Sequence, residues 1–539
     1  MKHFFERISI KHTIVSLLVL MISLTADARM DTGTFRWSFQ GNLQSLDPHG
    51  LLETFTLGFL GNVYESLTAY DTELKLIPAL AESWHAPEPD KWVFNLRKGV
   101  EFHNGNPFNA DDVIFSYKQR ALSEGSDLRV IARKMTGIRK IDDHTIEIET
   151  DGANPILTRD LATLYIMDKE WCEANNTMGA TSPKGDNPGN YANLHANGTG
   201  PFMVAEHTAG VKTRLLRNPH YWKTISGNVM EGIFTPIGQD ATRVAALISG
   251  ELDLAYPIPL QDHRRVMAAS NIELLTGLEI RTIFLGFDQI RDELLYSNIK
   301  GKNPFKDPRV RQAIAHGINI RAIKAKVMRG KSTPSGIMAA PQVNGFMESL
   351  YGWWRYDPEK SKRLLIEAGY ADGFRVTMDC PNDRYVNDEQ ICQAVVSMLA
   401  RIGIEVDLLA QTKSKYFGKI GAQNGYDTSF YLLGWSPSTL DAYQVIEPLM
   451  ACRDKGDGYG LYNYGGYCNA RIHELTPMIR SEFDPEKRQR MIGEVFRIHK
   501  EEIGHIPLHQ QPLSWGVSDR IRLLQRPDNV LDLRYVKIH

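Results

Sequence analysis

Short runs of alternating apolar and polar residues recur along the chain and predict β-strands. Residues 92–96 and 145–149 alternate in this way, and residues 374–378 and 405–409 repeat the pattern further on. Because such short strands are spaced along the whole chain, a sheet is expected in more than one part of the molecule.

Helical patterns fill the segments between these strands. Asn109 is followed by two acids and then by apolar residues at helical spacing, which is typical of a capped helix start. Pro308 and Pro358 occupy the first-turn position that helices tolerate. Gly marks the expected helix ends. The predicted helices are 240–249, 308–329, 359–368 and 389–402.

The order of these elements indicates the fold class. From 355 to 435 the chain alternates strand, helix and strand, which favours a sheet with helices packed on it. The segment 175–200 is rich in Asn, Gly, Pro and Thr and is predicted to be a long surface loop. The sequence therefore predicts an α/β protein.

Composition narrows the class of protein. The chain has 539 residues, 42% of them apolar and 23% charged, with a formal net charge of −2. Such a chain can bury several cores. The near-neutral charge argues against a surface built to hold nucleic acid.

The first 28 residues have the pattern of a secretory signal peptide. Lys2, Arg7 and Lys11 are followed by an apolar run at 14–24, and Ala26 and Ala28 form a small-x-small cleavage pattern. The apolar run is too short to cross a membrane, which takes about 20 residues. We expect cleavage after Ala28, no lipid attachment, a periplasmic location and no membrane insertion afterwards.

Five cysteines suit an oxidising compartment. Cys452 and Cys468 bracket a loop rich in Gly, Tyr and Asp, where a disulfide would contribute about 3 kcal/mol. The odd count leaves at least one thiol free, and the pairing of Cys172, Cys380 and Cys392 stays open.

Motifs for catalysis or metal binding are incomplete. The chain has no His-Glu-x-x-His and no Cys-x-x-Cys. The segment 434–438 lacks the last Gly of a nucleophile elbow, and 330–332 lacks the earlier Gly of a phosphate-binding loop. We therefore expect no enzyme activity, no cofactor and no metal.

Five segments, in order, resemble one family. They read ALAESWHAPEPDKWVFNLRKGVEFHNGNPFNADDVIFS at 79–116, GTGPFMVAEHTAGVKTRLLRNPHYW at 198–222, DATRVAALISGELD at 240–253, PFKDPRVRQAIAHG at 304–317 and YDPEKSKRLLIEAG at 356–369. They resemble the family 5 bacterial extracellular solute-binding proteins, the dipeptide, oligopeptide and nickel binders that serve ABC importers. The segments lie between residues 79 and 369.

The resemblance implies a two-lobed periplasmic binding protein of type II, cluster C. Lobe I would be discontinuous, formed by 29–62, 198–278 and 510–539, with an inserted subdomain at 63–197. Lobe II would span 279–509. Two strands near 277–285 and 506–514 would cross between the lobes as a hinge, and ligand binding would close the lobes.

The resemblance also places candidate ligand-binding residues. Arg384 matches, after a lobe II strand, the arginine that holds the ligand carboxylate in dipeptide binders. Thr54 and Phe55 fall where family members approach the ligand from the first lobe. Trp435 follows the predicted strand 428–433 at a loop junction, and the sequence alone leaves open whether it lines a cavity or belongs to the core.

One position departs from the peptide binders of the family. They carry an aspartate, three residues after the Trp of the Gly-Trp pair, that binds the peptide amine. Here Ser438 occupies that position, and Asp441 is the next acid. Cys452 and Cys468 match a disulfide-bearing loop of the family.

The sequence therefore predicts a monomeric binding protein that delivers a peptide or peptide-like solute to an ABC permease and its ATPase. The alternative is a non-peptide ligand such as an opine, sugar or oligosaccharide. A secreted enzyme or a chemoreceptor partner on this fold is a third hypothesis.

Overall fold

The computed structural model describes residues 33–183, 189–454 and 458–539. The predicted signal peptide at 1–28 lies outside the described residues. Within them, no helix is long and apolar enough to span a membrane.

The strands, in chain order, are β1 (Thr34–Phe39), β2 (Thr68–Tyr70), β3 (Leu76–Pro78), β4 (Ala81–Glu88), β5 (Lys91–Leu96), β6 (Met135–Asp142), β7 (Thr145–Thr150), β8 (Phe202–Thr208), β9 (Lys212–Arg217), β10 (Glu231–Phe234), β11 (Leu254–Tyr256), β12 (Ile272–Phe287), β13 (Thr333–Pro334), β14 (Phe374–Pro381), β15 (Ile404–Gln411), β16 (Phe430–Trp435), β17 (Ile506–Ser518), β18 (Ile521–Arg522) and β19 (Lys537–Ile538).

The α-helices are Thr54–Leu60, Ala110–Ile114, Arg129–Ala132, Leu157–Leu161, Lys169–Ala174, Tyr191–Leu194, Asp240–Ile248, His263–Met267, Pro308–Gly317, Ile320–Ala322, Pro358–Glu367, Asp388–Ala400, Lys413–Ile420, Tyr443–Val445, Ala470–Ser481 and Pro485–Glu502. Wider π-helical turns follow at Phe115–Arg120, Ile323–Val327 and Ile446–Met450, and 3₁₀ turns occur at Pro304–Lys306, Glu348–Leu350, Ala422–Asn424 and Leu533–Tyr535.

One large sheet runs through both halves of the molecule. Among the described residues its strand order is β15-β14-β16-β12-β17-β11-β1-β10-β9-β8, with β13 also paired to β17. The long strands β12 and β17 are antiparallel neighbours and belong to both halves, since β16 flanks β12 at one end and β11 flanks β17 at the other. Their pairing register shifts between Leu278 and Thr282. Both segments expected to cross between the lobes lie in these two strands.

Each half of the sheet is built around parallel strands. β14 pairs in parallel with β15 on one side and with β16 on the other, and the helix Asp388–Ala400 connects β14 to β15. β1 pairs in parallel with β10 and β11. The unit formed by β14, the helix Asp388–Ala400 and β15 is the strand–helix–strand arrangement that the sequence predicted for 355–435.

A second sheet, of order β4-β5-β7-β6, lies within 63–197. Alternate residues of its strands face a core that includes Phe94, Ile146 and Ile148, all 0% exposed. Burying one face of a sheet in this way fixes its pairing register. The segment therefore has a core of its own.

Most of the predicted elements form, with one clear exception. The predicted strands and the helices near 240, 359 and 389 are present within one to three residues of their expected ends. The predicted helix 308–329 is interrupted, because the chain leaves helical geometry at Ile318 and Asn319 before helical turns resume at Ile320–Ala322 and Ile323–Val327. Asn319 then accepts a hydrogen bond from the Ala322 N–H and starts a new turn, which its side chain favours over helix continuation.

The described part of the predicted loop 175–200 includes some regular structure. It contains the helix Tyr191–Leu194, and Asn193 is buried. The Asn193 side-chain amide donates to Ser45 Oγ (2.8 Å) and to the Thr181 carbonyl (3.0 Å). Buried hydrogen bonds of this kind cannot be read from a composition of polar residues.

Candidate functional site

The carboxyl ends of the parallel strands in one half meet at a single edge of the sheet. The chain leaves β14 toward β15 on one side, and β16 lies on the other side of β14. The loops after β14 and β16 therefore diverge and leave a crevice between them. Ligands of open α/β sheets bind in such crevices. Arg384 follows β14 and Trp435 ends β16, so both predicted residues lie at this edge.

A cavity of about 490 Å³ occupies this position. A smaller cavity of about 140 Å³ adjoins it, and the two share Glu53, Thr54, Arg281, Arg384 and Tyr385 in their walls. The walls come from the first half, from the inserted sheet region and from the second half. The site is thus a partly open cavity between the two halves, of a size that suits a small organic solute.

The loop that carries Arg384 is fixed at both ends. A disulfide joins Cys380, in β14, to Cys392, in the following helix. The Asp388 carboxylate accepts the backbone N–H groups of Arg384 and Tyr385, each at 2.9 Å. Burial raises the pKa of Asp388 to about 6, and these N–H groups oppose the shift by favouring the charged form.

The Arg384 guanidinium is half-buried and lies 5.2 Å from the centre of the Tyr385 ring. It lines both cavities and has no ion pair with a carboxylate of the described residues. A guanidinium held in this way is a ready bidentate partner for a carboxylate.

Trp435 and Ser438 line the larger cavity together. The Trp435 indole N–H donates to the Gln444 carbonyl (2.8 Å), and its ring lies 4.9 Å from the Tyr462 ring. The Gln444 side-chain amide donates to Ser438 Oγ (2.9 Å). Trp435 is therefore half-buried in a cavity wall and held there by a hydrogen bond and by ring packing.

Asp441 lies apart from these residues. It is fully buried, does not line either cavity, and its two carboxylate oxygens accept from the Arg488 guanidinium at 2.7 and 3.0 Å. Asn344 donates a further hydrogen bond to it (2.7 Å). The structure thus does not bring Asp441 to the cavity with the other predicted site residues.

Thr54 and Phe55 begin the helix Thr54–Leu60 in the first half. Glu53 caps this helix by accepting the Thr56 N–H. Thr54 lines both cavities, whereas Phe55 lines only the smaller one and stacks on Phe39 with ring centroids 4.2 Å apart. Both predicted residues therefore face the space between the halves.

Sequence reasoning missed several charged residues of the wall. Arg281 and Glu279, in β12, form a buried ion pair (3.1 Å), and Glu279 accepts from Gln511 in β17 (2.7 Å). The signal was a pair of opposite charges, Glu279 and Arg281, two residues apart in a mostly apolar strand. Lys134, Asp160 and Glu447 also line the larger cavity, and no local pattern marks them.

The predicted disulfide, Cys452 to Cys468, is present, and the Cys380–Cys392 bridge answers a pairing that the sequence left open. The Cys452–Cys468 bridge encloses Tyr462 and Tyr464, which line the larger cavity. Cys172 is the free cysteine and is buried. Among the described residues, no group of three or more His, Cys, Asp and Glu side chains is placed to hold a metal ion.

A sequence model of the bacterial extracellular solute-binding proteins, family 5, matches residues 75–457, well over half of the chain. The chain belongs to this family. The matched range includes the Arg384 loop, Trp435 and Ser438.

Curated relatives of this solute-binding protein include glutathione-binding proteins. The glutathione-binding protein GsiB of Escherichia coli O1:K1 is 26% identical over 475 residues, which is 87% of each chain. The protein of the same name from Salmonella choleraesuis is 25% identical and is covered over 93% of each chain.

Solved structures of two-lobed periplasmic binding proteins share the fold. The dipeptide-binding protein of Pseudoalteromonas sp. SM9913, in complex with Met-Leu, matches with a TM-score of 0.78, 21% identity and coverage of 94% of this chain and 100% of that one. The periplasmic binding protein AgaA of Agrobacterium tumefaciens R10, in complex with agropinic acid, matches with a TM-score of 0.76, 22% identity and coverage of 94% and 99%. The expected two-lobed α/β fold is thereby confirmed.

Proposed function

We propose that this solute-binding protein captures a peptide or peptide-like solute for an ABC importer. The observation that carries the proposal is the cavity between the two halves, where an unpaired guanidinium faces aromatic walls. A protein that must release its cargo needs enclosure and a few oriented polar groups, and it needs no covalent chemistry. The relatives that bind glutathione and Met-Leu support the same class of ligand.

In this proposal Arg384 holds the carboxylate of the solute and Trp435 packs against its apolar part. Thr54 and Ser438 offer hydroxyl groups, and Phe55 closes the smaller cavity. Asp441 is not assigned to the ligand, because a buried carboxylate already bound by Arg488 would have to break that pair first.

Solute binding closes the two lobes about the crossing strands β12 and β17. Lobe I comprises 29–62, 198–278 and 510–539. The inserted subdomain spans 63–197, and lobe II spans 279–509. The hydrogen bond from the Tyr70 hydroxyl to the Thr439 carbonyl (2.6 Å) joins the subdomain to lobe II in this structure. A closed form reached with ligand gives the permease a shape to recognise.

The protein acts in the periplasm as a monomer after removal of a signal peptide, and its partners are the permease and ATPase of the importer. The two disulfides support this location, since such bonds persist in oxidising compartments. It has no catalytic role: incubation with peptides and glycosides should release no product.

A non-peptide ligand is the second candidate. Ser438 stands where peptide binders of the family carry the amine-binding aspartate, and Asp441 is occupied by Arg488. An opine or a sugar would not need that aspartate. The structural relative that binds agropinic acid supports this alternative.

A thermal-unfolding screen distinguishes these candidates. The panel contains Met-Leu, a tetrapeptide, glutathione, agropinic acid and oligosaccharides. A ligand at 100 times its dissociation constant stabilises the folded state by about 2.7 kcal/mol, which shifts the midpoint measurably. Shifts confined to peptides and glutathione support the proposal, shifts confined to opines or sugars favour the second candidate, and no shift with any compound contradicts both.

A further inference from the structure

One end of the larger cavity carries a cluster of charges contributed by both halves. Lys134 and Asp160, from the inserted subdomain, and Glu447, from the second half, all line the wall. The Lys134 ammonium lies 3.9 Å from the Asp160 carboxylate and 3.6 Å from the Glu447 carboxylate. Both distances are longer than a charge-assisted hydrogen bond. The carboxylates thus lie close to one shared cation without being tightly bound to it.

Asp160 is the member of this cluster with unused bonding capacity. Its side chain is 4% exposed, and its Oδ2 has no hydrogen-bond partner among the described residues. Burial raises the pKa of Asp160, with Lys134 opposing the shift. A buried carboxylate oxygen without a hydrogen bond destabilises the folded state unless a donor reaches it.

The charges of the wall at this end do not balance. Two carboxylates and one ammonium line the wall here, so this end has one more acidic group than basic groups. Arg480 lies near Asp160 but outside the wall, where it donates to the Asp151 carbonyl (3.3 Å). Arg159 also lies outside the wall and contacts Tyr70. One further cation in the cavity would give each of the two carboxylates a basic partner.

We propose that Asp160 and Glu447 form a subsite for a positively charged group of the solute, a primary ammonium or a guanidinium, beside Lys134. This inference rests on the proposed function and defines its ligand as a zwitterion, with an anionic group at Arg384 and a cationic group here. The subsite provides the negative charge that Ser438 lacks. Because Asp160 and Glu447 belong to different halves, a cation between them also favours the closed arrangement.

Matched peptides with and without a free amine test the subsite. The probes are Met-Leu with N-acetyl-Met-Leu, and glutathione with its N-acetyl derivative, titrated calorimetrically into the wild type, Asp160→Asn and Glu447→Gln. We expect acetylation to weaken binding to the wild type by about tenfold or more, since it removes a charge-assisted hydrogen bond. In either variant that penalty should fall below about threefold.

Asp143→Asn is the matched control, because Asp143 lies on the same subdomain with its side chain 73% exposed and pairs with Lys140. It should keep the full acetylation penalty. Asp160→Asn should unfold at or above the wild-type temperature, because it removes a buried charge. Glu447→Gln tests the second carboxylate of the subsite at a more exposed position.

An equal affinity of the wild type for free and acetylated probes would overturn the subsite while leaving peptide binding intact. An unchanged penalty in both variants would also overturn it. Failure of both unmodified probes to bind the wild type would instead remove the peptide function, and the subsite with it.

Discussion

At the scale of single residues, the cavity wall contains two guanidinium groups that differ in whether a carboxylate pairs with them. Arg384 has no carboxylate partner among the described residues, whereas the Arg281 guanidinium is already paired with Glu279 at 3.1 Å. An unpaired, half-buried guanidinium is the group with most to gain from an anionic ligand. Arg384 is therefore the residue on which recognition of a carboxylate should depend most strongly.

Replacing Arg384 by Ala should weaken binding of a carboxylate-bearing solute by about 2–5 kcal/mol, the usual effect of removing one partner of a desolvated charge pair. The unfolding temperature of Arg384→Ala should change little, because Asp388 binds the backbone of residue 384 and not its side chain. Calorimetric titration and thermal unfolding measure the two effects separately.

The control is Arg490→Ala, an arginine that is 68% exposed and does not line the cavity. It should leave both properties unchanged. A loss of stability in Arg384→Ala as large as its loss of affinity would mean that the guanidinium supports the fold.

Single residues also show where sequence reasoning succeeded and failed. The sequence could place Arg384 and Trp435 because each follows a recognisable strand. It could not show that Asp441 is bound by Arg488, which is 47 residues away in sequence. Asp160 and Glu447 come from separate halves, and only the folded chain brings them within reach of Lys134.

At the scale of elements, both disulfides hold segments of the cavity wall. Cys380–Cys392 joins β14 to the next helix across the Arg384 loop, and Cys452–Cys468 encloses Tyr462 and Tyr464. A crosslink restricts the unfolded chain, and here it also restricts the loop that presents Arg384.

The double variant Cys380→Ser/Cys392→Ser should lower the free energy of unfolding by about 3 kcal/mol, the loop-entropy value for a separation of this length. It should also weaken ligand binding, because Arg384 would be held only by its hydrogen bonds to Asp388. Urea unfolding and calorimetric titration are the measurements. A variant that loses stability but keeps the wild-type affinity would show that the disulfide does not position Arg384.

Elements with local signals were predicted well, and an element shaped by its neighbours was not. Asn109 predicted its helix because capping is local, and the structure has the reciprocal hydrogen bonds between Asn109 and Asp112. The helix predicted to run to 329 ends at Gly317, which packs closely against Ile402: a Cβ at Gly317 would lie 2.8 Å from the Ile402 side chain. Contacts of this kind depend on tertiary structure.

At the scale of the whole molecule, a buried histidine links stability to pH. His49 is 0% exposed, its Nε2 lies 2.9 Å from the Tyr165 carbonyl, and its Nδ1 has no described hydrogen-bond partner. Burial, and next the Arg120 guanidinium, lower the pKa of His49 to about 4. The neutral ring is therefore the form that the fold accepts.

The unfolded chain binds a proton at this histidine near pH 6.5, whereas the folded protein binds it only near pH 4. The free energy of unfolding should therefore fall as the pH drops from about 6.5 to about 4, by up to about 3 kcal/mol from this group. His49→Asn should remove that part of the pH dependence, measured by urea unfolding at pH 7 and pH 4. An unchanged difference between the two pH values would contradict the assignment.

The overall architecture was predictable to the extent that it follows from patterned segments. The family resemblance and the strand–helix–strand pattern indicated two lobes, and β12 and β17 contain the segments expected to cross. The cavity itself was not predictable, because its walls combine side chains from Glu53 to Arg534 that no local pattern relates.

The central claim is that the crevice between the lobes binds one solute through Arg384 and Trp435. Its most direct test is calorimetric titration of the refolded, solute-free protein with Met-Leu and with glutathione, in the wild type and in Arg384→Ala/Trp435→Ala. We predict saturable binding of at least one compound to the wild type, at one site per chain, and loss of that binding in the double variant while its thermal unfolding stays cooperative. Absence of binding in the wild type, or equal binding to a folded double variant, would contradict the account.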